Sequence, residues 1–106
     1  MNSERLRQLL AYLDESPDDP FILYALAMEY RTEKPEEADQ LFTELLNQHP
    51  DYLPTYYQAA SFQESKGNID KAIQLYRAGI LLAEKQKDSG ALKELKAAYQ
   101  LLENDL

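Results

Sequence analysis

Apolar and small residues recur along this chain at helical spacing, and proline, glycine or acidic clusters interrupt them at short intervals. The strongest such stretch runs from Asp51 to Ala83. Tyr56, Ala59, Ala60 and Gln63 fall at i, i+3, i+4 and i+7, which places them on one face of a helix, although Gln63 is polar. After Gly67-Asn68, a turn signal, the spacing resumes with Ile69, Ala72, Ile73 and Tyr76, then Gly79, Ile80 and Ala83. The small residues Ala59, Ala60, Ala72 and Gly79 let two helix axes approach closely, and Tyr56 and Tyr76 fill the remaining space. The pattern predicts an antiparallel helical hairpin.

A copy of this hairpin precedes it. Leu23, Leu26, Ala27 and Tyr30 lie 33 residues before Tyr56, Ala59, Ala60 and Gln63, and Ala38, Phe42 and Leu45 lie 34 residues before Ala72, Tyr76 and Gly79. Self-similarity at this period marks stacked supersecondary units. On these residues, with Pro50 closing the first copy and Gly67 turning the second, the chain resembles the tetratricopeptide repeat family over about two repeats, Asp19 to Glu84. It departs from the family pattern in lacking the early tryptophan, in carrying Pro35 and no glycine at the first turn, and in having Glu84 where a closing proline is usual. Without that proline the second arm is expected to run on to Lys87.

The flanks complete the array. Leu6, Leu9, Leu10 and Leu13 form a stripe behind Ser3, a candidate N-cap, and this helix is expected to cover the open side of the first repeat. The breaker cluster DESPDDP ends it, and Asp19-Pro20 supplies an N-cap and a first-turn proline for the next helix, expected to end near Thr32. Pro35 and Pro54 open further helices, Pro50 stops one after His49, and Asn68 is a candidate cap for the longest. Beyond the polar connector Lys85 to Gly90, a last helix from Ala91 to about Glu103 carries Leu92, Leu95, Tyr99 and Leu102 on one face. It reads as a first arm without its second, with Lys96 replacing the small Ala27 and Ala60 as suits a solvated end. The expected architecture is all-α: a short right-handed α-solenoid of six helices in a single domain. It comprises a capping helix at 3–16, repeats at 19–50 and 51–87, and a capping helix at 89–104.

Composition narrows the chemistry. The net charge is −8, and residues 1–53 hold 12 acidic and 4 basic residues while residues 54–106 hold seven of each. Clustered cations for phosphate are missing, which argues against nucleic acid. The acidic half reads as a solvated outer face or as a lure for a basic partner. No cysteine is present, which excludes disulfides and thiolate chemistry, and no apolar run suits a signal peptide or a membrane span. The expected compartment is the cytoplasm. His49 stands alone with no metal-ligand spacing, and reads as a helix-terminal residue beside the negative dipole end. The pairs Asp14/Glu15, Asp18/Asp19 and Glu36/Glu37 sit near helix starts, where capping and solubility account for them. The glycines are isolated, so no phosphate loop exists. Neither a metal, a cofactor nor an enzyme activity is expected.

A binding surface does have candidates. Beside each core stripe runs a second one, Tyr24, Met28 and Arg31, repeated as Tyr57, Ser61 and Glu64, with Lys93, Ala97 and Gln100 on the last helix. The resemblance implies that such first-arm positions line a concave groove for an extended peptide or a partner's helix. Tyrosine suits this role, offering an apolar face and a hydroxyl with few rotors to immobilise. Arg31 and Lys93 could hold a carboxylate, and Glu64 could counter a cation. Packing between hairpins is the other reading of Tyr24 and Tyr57, and a surface ion pair that of Arg31 and Glu64. Relatives that bind chaperone tails through their C-terminal carboxylate use a lysine and an asparagine where this chain has Tyr24 and Met28, which disfavours that ligand. The expected function is therefore a protein-interaction module, monomeric or weakly dimeric. The alternative is a self-assembling structural subunit.

Overall fold

Six α-helices and no strand make up the computed structural model, which describes residues 1–106. They are α1 (Ser3–Glu15), α2 (Pro20–Tyr30), α3 (Pro35–Gln48), α4 (Pro54–Ser65), α5 (Ile69–Gln86) and α6 (Ser89–Asn104). The chain divides into two compact units, Met1–Tyr52 with α1 to α3 and Leu53–Leu106 with α4 to α6.

In the first unit α2 packs between α1 and α3. Leu9, Ile22, Ala25 and Leu26 form a buried cluster, flanked by the partly buried Leu6, Leu13, Tyr30 and Leu41. Ala27 and Ala38, both fully buried, supply the small residues of the α2–α3 hairpin, and Phe42 and Leu45 are buried on α3. Three of the helix starts are punctuated by proline. Pro20, Pro35 and Pro54 occupy first-turn positions, where a missing N–H costs no helical hydrogen bond. Asp19 caps α2 by accepting from the Phe21 N–H at 2.9 Å. The first cap differs from the expected one: Asn2, not Ser3, accepts from the Arg5 N–H at 3.0 Å, and Ser3 is the first helical residue. Both side chains are competent caps, so composition alone could not choose between neighbours. Helix α2 stops at Tyr30, before Thr32, and the Lys34 N–H returns to the Tyr30 carbonyl at 2.8 Å.

In the second unit α5 packs against α4 and α6. The α4–α5 turn is a Schellman motif, in which the Asn68 N–H reaches the Gln63 carbonyl and the Gly67 N–H that of Glu64, both at 2.9 Å. Gly67 takes φ +81°, where a Cβ would be strained. Gln63 is the polar residue on the apolar stripe. It is buried, and its side-chain oxygen accepts from the Asn68 amide at 2.8 Å. Asn68 therefore stands at the N-cap position of α5, yet its side chain bonds to Gln63 and not to an α5 N–H.

Helix α5 runs to Gln86, past the usual repeat end, and stops at Lys87 with φ 58°. The polar connector is thus shorter than expected, because Asp88 caps α6 through the Ala91 N–H at 3.0 Å and brings Ser89 and Gly90 into the helix. Lys87 occupies a left-handed position without being glycine, which costs about 1–2 kcal/mol. Lys87→Gly is expected to raise stability by about 0.5–1 kcal/mol once glycine's greater loss of chain freedom is deducted. Urea unfolding followed by helicity measures it, and an unchanged or lower midpoint would show that the lysine is not strained there.

Candidate functional site

The second stripe on each first arm becomes a set of half-exposed side chains. Tyr24, Met28 and Arg31 on or just beyond α2, and Tyr57, Ser61 and Glu64 on α4, are all intermediate in exposure, while Lys93 on α6 is exposed. Each of the two tyrosines has a ring partner inside its own unit. Tyr24 meets Tyr52 edge-on, with centroids 5.9 Å apart and planes at 64°, and Tyr57 meets Tyr76 in the same manner at 6.1 Å and 74°. T-shaped contacts of this kind fix ring orientation and add roughly 0.5–1.5 kcal/mol beyond area burial. Each of the two equivalent tyrosines is thus oriented by an edge-on contact with a second tyrosine.

The supporting partners come from different places. Tyr52 lies between α3 and α4, where its N–H bonds to the His49 carbonyl at 3.0 Å. Burial, with Tyr24 and Asp19 adding electrostatically, pushes the Tyr52 phenol above its ordinary value. Tyr76 is almost fully buried on α5, and its hydroxyl donates to the Glu64 carboxylate. Glu64 is thus tied to its own hairpin and holds the hydroxyl of the residue that supports Tyr57. The sequence pattern singles out Tyr24 and Tyr57 and passes over Tyr52, which sits outside any helical stripe. Its place two residues after Pro50 is the only signal the sequence offers.

The remaining chemistry is sparse. His49 Nε2 lies 3.1 Å from Asp18 Oδ1, tying the end of α3 to the α1–α2 loop. No group of three or more His, Cys, Asp or Glu residues is placed to hold a metal ion, and no helix is long and apolar enough to cross a membrane. Arg77 donates to the Tyr99 hydroxyl at 2.9 Å, joining α5 to α6 at the surface.

Residues 29–99 match the tetratricopeptide repeat family. The chain belongs to the tetratricopeptide repeat family. Two solved structures of a tetratricopeptide repeat domain protein from Salinibacter ruber are similar to it at 37% identity. The crystal structure has a TM-score of 0.76, covering 81% of this chain and 97% of that one. The solution structure has a TM-score of 0.79, covering 84% and 91%. A protein from Bordetella parapertussis, 20% identical, shares the fold at a TM-score of 0.80 over 94% of this chain and 88% of its own. No curated protein matches the chain. The six helices are accordingly an all-α fold of the tetratricopeptide repeat type. Such repeats are generally non-catalytic modules for binding proteins, and the fold alone names no ligand.

Proposed function

We propose that this tetratricopeptide repeat chain is a non-catalytic protein-interaction module that takes a peptide or a partner's helix along the first helices of its repeats, α2 and α4. In this reading residues 19–50 and 51–87 act as the repeats and the outer helices as caps. The observation that carries it is the repeated tyrosine pair: Tyr24 and Tyr57 are half-exposed at equivalent positions, and each ring is already oriented by a second tyrosine. Pre-oriented aromatic side chains lose little freedom on binding, which is why they serve as anchors. Met28, Arg31, Ser61 and Lys93 are the neighbouring contacts, with Glu64 reaching the ligand only as far as its bond to Tyr76 allows.

The double variant Tyr24→Ala/Tyr57→Ala is expected to keep its helicity and to lose partner capture by at least about tenfold, since truncating a central aromatic anchor commonly costs about 2 kcal/mol or more. Affinity capture from extract by wild type and variant, each checked by circular dichroism, is the measurement. Equal recovery by both would remove the tyrosines from the site. Cooperative loss of helix would make them structural.

Self-assembly is the second reading, and one observation favours it: Leu81 and Leu101 are each 68% exposed. A solution mass above that of the monomer, lowered by Leu81→Ser or Leu101→Ser, would establish it over the adaptor.

A further inference from the structure

Unit 1 carries an apolar cleft away from the tyrosine stripe. It is lined by Leu10 and Leu13 of α1, Leu26 and Tyr30 of α2, and Leu41 of α3, with Glu37, Gln40 and Glu44 of α3 also lining it. Tyr24 lies two residues from Leu26, about 200° around α2, so the two surfaces face apart. Leu10 is 41% exposed although it belongs to the stripe whose other leucines are buried or half-buried. The cleft encloses about 260 Å³ and is open. That is below the usual range of pockets for whole small molecules and fits one or two protruding side chains.

Charge selects the occupant. Glu37, Gln40 and Glu44 fall at i, i+3 and i+7 along α3, one polar edge beside Leu41. Neither Glu37 nor Glu44 is engaged by a cation or a hydrogen-bond donor of the protein, whereas Glu29 is held by Arg5 at 2.8 Å. On α1, Asp14 follows Leu13, and the nearest cations by register are Arg7 and Lys34, one turn N-terminal to Leu10 and Glu37. The surrounding half of the chain, residues 1–53, carries a net −8. A second copy presenting this same face would meet like charge, which disfavours a symmetric dimer across the cleft.

We propose that the α1–α3 cleft is a second interaction surface that binds a cationic amphipathic helix. A leucine-sized side chain of the ligand seats among Leu10, Leu13 and Leu41, and its lysines or arginines flank the cleft toward Glu37, Glu44 and Asp14. The apolar seat gives affinity, and the uncompensated carboxylates give orientation and exclude acidic helices.

The test uses a fluorescent synthetic helix with leucine on one face and lysine on the other, a scrambled peptide of the same composition, and the full chain at about 0.15 M salt. Saturable binding of the amphipathic peptide is expected, with amide shifts in a nitrogen-15 titration centred on Leu10, Leu13, Leu41 and Glu44. Leu10→Glu and Glu37→Lys/Glu44→Lys are each expected to weaken it at least about tenfold. Glu84→Lys/Glu94→Lys, which changes net charge equally, and Tyr24→Ala/Tyr57→Ala are expected to leave it within about twofold. Equal weakening by Glu84→Lys/Glu94→Lys, equal binding of the scrambled peptide, or shifts centred on unit 2 would overturn the proposal. So would a dimer, without peptide, that Leu10→Glu dissolves, since that would give the cleft to a second copy.

Discussion

Gly79→Ala is expected to destabilise the second unit by about 1–3 kcal/mol, against the usual direction of a glycine-to-alanine change within a helix. A Cβ built on Gly79 falls 2.7 Å from the Tyr56 Cβ and 3.1 and 3.3 Å from the two Leu95 methyls. The leucine methyls can rotate aside. The Tyr56 Cβ cannot, because it is fixed to the α4 backbone, so α4 and α5 must separate. The alanine gains up to about 1 kcal/mol of helix propensity, which the overpacking exceeds. Gly90 is the internal control: there a Cβ meets only Asp88 Oδ1 at 3.7 Å, and Gly90→Ala is expected to stabilise by about 0.5 kcal/mol. Urea unfolding of the two variants should shift in opposite directions. A shift of both toward stability would mean that the α4–α5 spacing has slack the close approach does not suggest.

Gly79 also shows which features are legible in the sequence. The small residues Ala59, Ala60, Ala72 and Gly79 are readable as a close helix approach because they recur at helical spacing on facing arms, and all four are buried. The family, the six helices and their proline-marked starts follow from the same local chemistry. Cap positions are less readable, since Asn2 and Ser3 are equally able acceptors, and Ser89-Gly90 has the composition of a loop although Asp88 caps it into α6. Individual side-chain pairings that follow no repeating pattern are not readable at all. Nothing in the spacing of Tyr52 announces that it meets Tyr24, or that Glu64 will accept from the Tyr76 hydroxyl. The α1–α3 cleft belongs to the same class. Its parts are an exposed leucine and two ordinary surface glutamates, and only folding places them together.

Tyr76 is where stability and the proposed site are most tightly joined, and it carries the largest expected effect. Its ring is 1% exposed and among the largest fully buried side chains. Tyr76→Ala is expected to cost about 3–5 kcal/mol, the range for removing a buried aromatic ring, which is a large share of what a domain this small holds. Tyr76→Phe keeps the ring and removes only the hydroxyl. Glu64 is half-exposed and can turn to water once its donor is gone, so the expected cost falls to about 1–2 kcal/mol. The two variants separate support from chemistry. The phenylalanine ring still meets Tyr57 edge-on, so a well-folded Tyr76→Phe chain should capture partner as wild type does. If it folds and fails to capture, the Tyr76–Glu64 hydrogen bond orients a group the partner touches, and Glu64 moves from a supporting residue to a contact.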